Sequence, residues 1–148
     1  MTDLDNPTEP RSDFVRDHLR RYVASDGADG HEFHGTNTLL LTTKGRRSGQ
    51  ARRTPLIYGR DGDRFVVVAS KGGADEAPDW YRNLVADPHV RVQVEDRVFD
   101  ATARTAGSTE KPALWDLMAG IWPDYNEYQT KTSREIPVVV LEPVTSTG

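Results

Sequence analysis

Residues 39–71 read LLLTTKGRRSGQARRTPLIYGRDGDRFVVVASK, and the rest of the chain is organised around them. Leu39–Thr42, Thr54–Tyr58 and Arg64–Ser70 read as strands, the last two joined through Arg60-Asp61-Gly62-Asp63, which carries the Asp-Gly hairpin signal. Pro55 marks its strand as an edge or a strand start, because proline has no N–H to give to a ladder. Between the first two strands runs a loop, Lys44 to Arg53, with five basic residues (Lys44, Arg46, Arg47, Arg52, Arg53) and no acid. Gly45 and Gly49 let backbone N–H groups approach an anion, and guanidinium forks grip phosphate or carboxylate bidentately. The third strand ends in Ala69-Ser70-Lys71-Gly72-Gly73, which adds a hydroxyl, a point charge and two more permissive backbone positions. A basic loop is often only solvated surface. Two such segments flanking one strand pair point instead to a site for an anionic ligand.

Toward the C-terminus, Ala77-Pro78-Asp79 opens a helix through DWYRNLVAD, with Trp80, Tyr81, Leu84 and Val85 as its buried stripe and Pro88 as its stop. Val90–Glu95 and Val98–Arg104 alternate around Asp96-Arg97 as a hairpin with one buried face. Ser108 or Thr109 starts a helix whose Leu114, Leu117, Met118 and Ile121 follow the helical period to Trp122, where Pro123 closes it. Ile136–Leu141 is continuously apolar and belongs in a core. Six strands with helices inserted singly indicate an α+β, mainly β, fold: a small antiparallel barrel with three to four peripheral helices rather than a series of βαβ crossovers. Before the final strand, WPDYNEYQ spaces Trp122, Tyr125 and Tyr128 three apart, so a helical turn would set their rings on one wall. Asp124, Asn126, Glu127 and Gln129 are interleaved, which favours a wall facing something wet over one that merely packs on the barrel.

Toward the N-terminus, residues 1–10 read as a flexible tail and residues 11–148 as one domain, the size expected for a single core. Ser12 or Asp13 caps a helix to about Ser25, with Val15, Leu19, Tyr22 and Val23 opposite Arg16, Asp17 and Arg20. That stripe docks on the domain core or, given its Arg flanks, lies on a membrane surface. Ser25 to Thr36 is loop. His31 and His34 stand three apart, but no third ligand is indicated and the glycines at 30 and 35 disfavour a helix, so no metal site is expected. His18 and His89 read as helix-surface and strand-edge residues. The net charge of −4 makes the cationic loop a local feature and gives no support for adhesion to nucleic acid. The absence of cysteine excludes thiol catalysis, zinc-thiolate sites and disulfides. With no apolar run of membrane-spanning length and an acidic, proline-containing start, the expected location is the cytoplasm or, through the first helix, the inner face of the membrane. Monomer and homodimer both stay open.

Three separated stretches in this order, TTKGRRSGQARRTPL, VVASKGGADEAPDWYRNL, and WPDYNEYQ followed by IPVVVLEP, closely resemble the deazaflavin-dependent nitroreductase family of actinobacteria. The likeness runs from about Leu39 to Pro143. It implies a split β-barrel related to the flavin mononucleotide-binding folds, and a site for coenzyme F420, an 8-hydroxy-5-deazaflavin whose phosphate and polyglutamyl tail match the anionic ligand read above. It also implies that Arg46, Arg47, Arg52, Ser70 and Lys71 contact phosphate and tail, that Trp80 and Asn83 lie on the cofactor side, and that Ile57, Trp122, Tyr125 and Tyr128 line the acceptor side. Ile57 and Trp122 stand where the family carries tyrosines, so two ring hydroxyls are missing and the resemblance does not by itself imply the nitroimidazole substrate of its best-known member.

The implied reaction is hydride transfer from reduced coenzyme F420 to a small acceptor such as a quinone, an enone or a nitro compound. The cofactor supplies the hydride and the protein supplies orientation and protons. Charge builds on the acceptor oxygen as the hydride arrives, and a hydrogen bond from Tyr125, Tyr128 or Ser70 would stabilise it. Two other readings stand beside this one. A related split barrel can use flavin mononucleotide instead. A small non-catalytic β-barrel can bind single-stranded nucleic acid through the Arg loop, with Trp and Tyr as stacking platforms.

Overall fold

Leu39, Leu40 and Leu41 are all buried, yet successive residues of a strand point to opposite faces, so their strand is covered on both sides. The computed structural model, which describes residues 13–33 and 36–144, supplies both covers. Its elements are α1 (Asp13–Ala24), β1 (Glu32–Phe33), β2 (Thr36–Lys44), β3 (Ala51–Ile57), β4 (Gly59–Asp61), β5 (Arg64–Val68), α2 (Asp79–Ala86), β6 (His89–Val94), β7 (Arg97–Thr105), α3 (Lys111–Ile121), α4 (Asp124–Thr130) and β8 (Val138–Pro143), with a 3-10 turn at Lys71–Gly73. The strands form one antiparallel sheet in the order β1-β2-β6-β7-β8-β5-β4, and β3 adds to β2. β3 pairs with β2 from Ala51 opposite Lys44 to Ile57 opposite Thr38, while β4 pairs with β5 from Gly59 opposite Val66. Only Tyr58 separates β3 from β4. The stretch 51–61 therefore belongs to both ends of the sheet and closes it into a barrel, which removes most of its free edge.

The barrel interior is filled by alternate residues: Leu39 and Leu41 of β2, Phe65 and Val67 of β5, Val90, Val92 and Val94 of β6, Ala101 and Ala103 of β7, Val139 and Leu141 of β8, with Trp80 and Leu84 of α2 packed on the same cluster. The outward residues of β5 and β8 (Val66, Val68, Val138, Val140) pack instead on Leu114 and Met118 of α3 and Tyr125 of α4. The outward Leu40 packs on Leu19 and Tyr22 of α1. This two-sided cover is why the VVV runs in β5 and β8 are continuously apolar. The apolar stripe of α1 is thus spent on the barrel, and no described helix is long and apolar enough to cross a membrane.

Several expectations need correction. The loop is shorter than Lys44–Arg53: β2 runs through Lys44 and β3 begins at Ala51, so Arg52 and Arg53 are strand residues paired opposite Thr43 and Thr42. Ser25–Thr36 contains the short strand β1, and β4 occupies part of what reads as a turn. The third helix begins at Lys111 rather than at Ser108 or Thr109. Val23 is 40% exposed and Val85 61% exposed, because each sits at the margin of its stripe where no neighbour reaches it. His18, read as a surface residue, is 6% exposed. Pro55 lies inside β3, on a strand with β2 as its one ladder partner, where a missing N–H costs nothing. The tail at residues 1–10, the Ser12 cap and His34 lie outside the described residues.

Candidate active site

The turn between β2 and β3 is held against α2 by one buried amide. Asn83 Oδ1 accepts from the Arg46 backbone N–H at 3.2 Å and from Arg46 Nη1 at 2.9 Å, while its Nδ2 donates to Thr43 Oγ1 at 3.3 Å. Arg46 also reaches Asp79 at 3.4 Å. Asn83 therefore faces inward on α2 as the residue that sets the loop in place, and Arg46 is largely committed to it. The groove beside this tie has a volume of about 460 Å³ and is lined by Arg46, Arg47, Arg52, Arg53, Ser48 and Trp80, among others. Among the described residues no carboxylate pairs with Arg47, Arg52 or Arg53. Burial lowers the affinity of the Arg53 guanidinium for its proton below the ordinary arginine range. A half-buried cation with no acid beside it is costly unless an anion joins it.

On the far side of Trp80 lies a second cavity of about 450 Å³. Ile57, Ser70, Lys71, Trp122, Tyr125 and Tyr128 all line it, together with His18, Thr38, Leu56 and Val68. Trp80 lines both spaces, so a cationic groove and an aromatic pocket meet across one indole. Helix α4 sets the aromatic wall: the Tyr125 and Tyr128 rings meet edge-on at 6.2 Å, and Trp122 Nε1 donates to the Tyr128 hydroxyl at 3.5 Å. Tyr125 is 5% exposed. Burial, helped by Tyr128 close by, holds its phenol well above the ordinary tyrosine range, so it stays neutral and can donate.

The Ser70–Lys71 segment is fixed from α4's side of the molecule. Arg134 donates to the carbonyls of Ala74 at 2.7 Å, Ser70 at 2.9 Å and Ala69 at 3.2 Å. Lys71 has φ +46°. Gly73 has φ +85°, and a Cβ there would stand 2.7 Å from the Tyr128 carbonyl oxygen. The glycine that reads in sequence as room for an anion is needed, at this position, for the close approach of α4.

All the residues assigned from sequence thus fall on the groove, the pocket or the tie between them. Arg53, His18 and Arg134 were missed as site residues. Arg53 was visible in the basic run but carried no signal of its burial. His18 had the helical wheel against it. Arg134 acts on backbone carbonyls 60 to 65 residues earlier, which no local pattern records. His31 donates to or accepts from the Tyr58 hydroxyl at 2.9 Å, and among the described residues no group of three or more His, Cys, Asp or Glu could hold a metal ion.

Comparison with known proteins gives one direction. The family model for F420H(2)-dependent quinone reductase matches residues 14–143. An F420H(2)-dependent quinone reductase of Mycobacterium tuberculosis strain H37Rv is 40% identical over 131 residues, covering 86% of this chain and 88% of the relative. A solved F420-H2 dependent reductase (FDR-A) superposes with a TM-score of 0.66 at 43% identity, over 71% of this chain and 93% of its own. A solved domain-swapped dimer superposes with a TM-score of 0.69 at 39% identity, over 88% of this chain and 98% of its own.

Proposed function

The chain belongs to the F420H(2)-dependent quinone reductase family, and from that membership we infer that it transfers a hydride from reduced coenzyme F420 to a quinone. The observation that carries the reading into this chain's own residues is the junction at Trp80: a groove of unpaired guanidinium groups on one side, a largely apolar aromatic pocket on the other. An anionic chain fits the first and a planar ring the second. Bound there, the cofactor would supply the hydride.

The protein's own part is binding, orientation and charge. Arg47, Arg52 and Arg53 hold the anionic groups of the cofactor, joined by Lys71 at the pocket mouth, while Arg46 and Asn83 keep the loop at its distance from α2. Trp80 and Ser70 flank the ring. Ile57, Trp122, Tyr125 and Tyr128 wall the acceptor and exclude water, and a tyrosine hydroxyl donates to the oxygen on which charge develops. With Ile57 and Trp122 in place of two tyrosines, the wall is more apolar, which favours quinones over nitro compounds among acceptors. We further propose that residues from 11 onward form one folding unit that carries both halves of the site. The assembly state follows from the same unit and is read by light scattering, with monomer and homodimer as the two outcomes.

The deciding experiment titrates the purified protein with F420 and, separately, with flavin mononucleotide, then follows oxidation of each reduced cofactor with a panel of quinones, enones and nitro compounds. Tight binding of F420 and quinone-dependent oxidation of its reduced form are expected. Turnover with reduced flavin mononucleotide alone would replace this reading by the flavin one, and salt-sensitive binding of oligonucleotides without turnover would replace both.

A further inference from the structure

Three carbonyls of the segment around Ser70 and Lys71 converge on one side chain. Arg134 Nε donates to the Ala74 carbonyl at 2.7 Å, and Nη2 donates to those of Ser70 at 2.9 Å and Ala69 at 3.2 Å. In a trans peptide the N–H points opposite to the carbonyl, so the N–H groups of Ser70 and Lys71 face away from Arg134. The chain does not take this shape unaided. Lys71 has φ +46°, in the left-handed region that is unfavourable for a residue with a Cβ, and carbonyl dipoles turned toward one point repel one another unless a donor stands there.

Arg134 is itself held from the aromatic wall. Gln129, the residue after Tyr128 on α4, donates through Nε2 to the Arg134 carbonyl at 2.8 Å and accepts from the Ile136 N–H at 2.9 Å. Thr132 Oγ1 accepts from the Arg134 N–H at 3.2 Å. A chain of contacts thus runs from the wall through Gln129 and Arg134 to Ser70 and Lys71, which line the same cavity as Tyr125 and Tyr128. As a mere fastening, the guanidinium is an unfavourable choice. Among the described residues no carboxylate pairs with it, and its Nη1 is buried without a partner. A half-buried cation with an unpartnered N–H works against stability, and residues kept against stability cluster where function needs them.

From this geometry we propose that Arg134 is a positioning residue for the cofactor: it holds Ser70 and Lys71 in the shape that receives the cofactor's anionic group, a role that rests on the F420 reading above. The planar fork is what the task requires. Nε and Nη2 reach carbonyls on both sides of the turn at once, whereas a lysine ammonium offers its donors from a single point. Without the fork three carbonyls lose a donor, Lys71 relaxes out of the left-handed region, and its ammonium no longer meets the anion.

The test measures F420 affinity by titration, well below the melting temperature, for wild type, Arg134→Lys and Arg134→Gln, each alone and combined with Lys71→Ala or with Arg47→Ala. Lysine keeps the charge and loses the fork, so both substitutions at Arg134 are expected to weaken binding by roughly ten- to a hundredfold, as loss of the Lys71 contact itself would. Residues that act through one another are not additive. In the Lys71→Ala background the Arg134 substitutions are therefore expected to add less than about twofold, while with Arg47→Ala, whose side chain lines the groove across Trp80, the two losses multiply. A melting temperature that falls with unchanged affinity would make Arg134 a fastening of the fold alone and overturn the proposal. So would an Arg134→Lys affinity within about threefold of wild type, a full multiplicative loss on top of Lys71→Ala, or failure of both Arg134 variants to fold. If wild type itself does not bind F420, the functional reading falls and takes this one with it; wild-type binding with an unimpaired Arg134→Lys sinks this one alone.

Discussion

Arg53 is a strand residue whose charged head is half out of water with no carboxylate beside it among the described residues. On the proposed reading, the bound cofactor would bring the counter-charge. Arg53→Gln is therefore expected to leave the melting temperature unchanged or slightly raised, while weakening F420 binding by roughly ten- to a hundredfold, the loss of one charge-assisted contact of about 1.5–3 kcal/mol. Arg47→Ala and Lys71→Ala are expected to weaken binding to a similar degree, and all three losses should shrink at high salt. Isothermal titration at two ionic strengths reads them directly. The tyrosines separate wall from chemistry. Tyr125→Phe and Tyr128→Phe keep the rings, so cofactor affinity should hold. The variant that loses the hydroxyl facing the acceptor should slow hydride transfer by about thirty- to a thousandfold, by analogy with an oxyanion-hole donor worth roughly 2–4 kcal/mol. Tyr125→Ala should in addition lose about 3 kcal/mol of stability, because its ring fills the space between α3, α4 and the barrel. Wild-type rates in both Phe variants would reduce the wall to packing.

Two elements join the halves of the site. The 3-10 turn Lys71–Gly73 abuts α4 at the bare α-carbon of Gly73, and Arg134, in the segment after α4, holds the carbonyls of Ser70 and Ala74 on either side of it. Gly73→Ala would press a methyl group into the Tyr128 carbonyl at a positive φ, which is expected to cost about 1–3 kcal/mol of stability. Because the turn and the wall would move together, F420 affinity and quinone KM should both worsen. A variant that melts early yet binds both ligands normally would show that turn and helix are independent. The β6–β7 hairpin offers a pH experiment remote from the site. Asp100 accepts from Arg91 at 3.0 Å and lies 3.4 Å from His89, and these contacts, Arg91's hydrogen bond foremost, hold its carboxyl below the ordinary carboxylate range. A depressed folded-state pKa contributes stability above the unfolded value, near 3.9, and that stability is lost as pH falls through the folded value. Asp100→Asn should thus melt slightly lower than wild type at pH 7, by less than about 1 kcal/mol for so exposed a pair. The gap should close below about pH 4.

At the scale of the whole molecule, a chain of net charge −4 gathers Arg47, Arg52 and Arg53 on one groove, so an anion bound there would be stabilised locally against a net negative background. Saturation with F420 at about a hundred times its Kd should stabilise the fold by about 2.7 kcal/mol, and flavin mononucleotide at the same concentration should stabilise it less; thermal melts with each ligand compare them. The basic loop, the Ser70-Lys71 turn and the aromatic row of the candidate site were legible in the sequence because their signals are local, whereas Ile57, Trp80 and Asn83 entered it only through the family resemblance. A run of guanidinium groups without acids, a period of three in Trp122, Tyr125 and Tyr128, and alternation in β6 and β7 each follow from neighbours a few positions away. The antiparallel barrel was legible for the same reason, from strands separated by turns or by single helices. What lay beyond that reading is set by contacts between distant segments. Tyr58 is the hinge of a strand that leaves β2 for β5, which depends on where β8 places β5 and not on the residues at 57–59. Val23 and Val85 share helical stripes with buried residues yet stay in water, because a wheel gives the direction of a face and only the neighbour gives its width. Sequence alone therefore determined where the guanidinium groups cluster and which rings share a wall. The tertiary structure alone decided that Trp80 would join the two, that Arg53 would be drawn out of water and that His18 would turn inward, since burial is a property of what packs across from a residue.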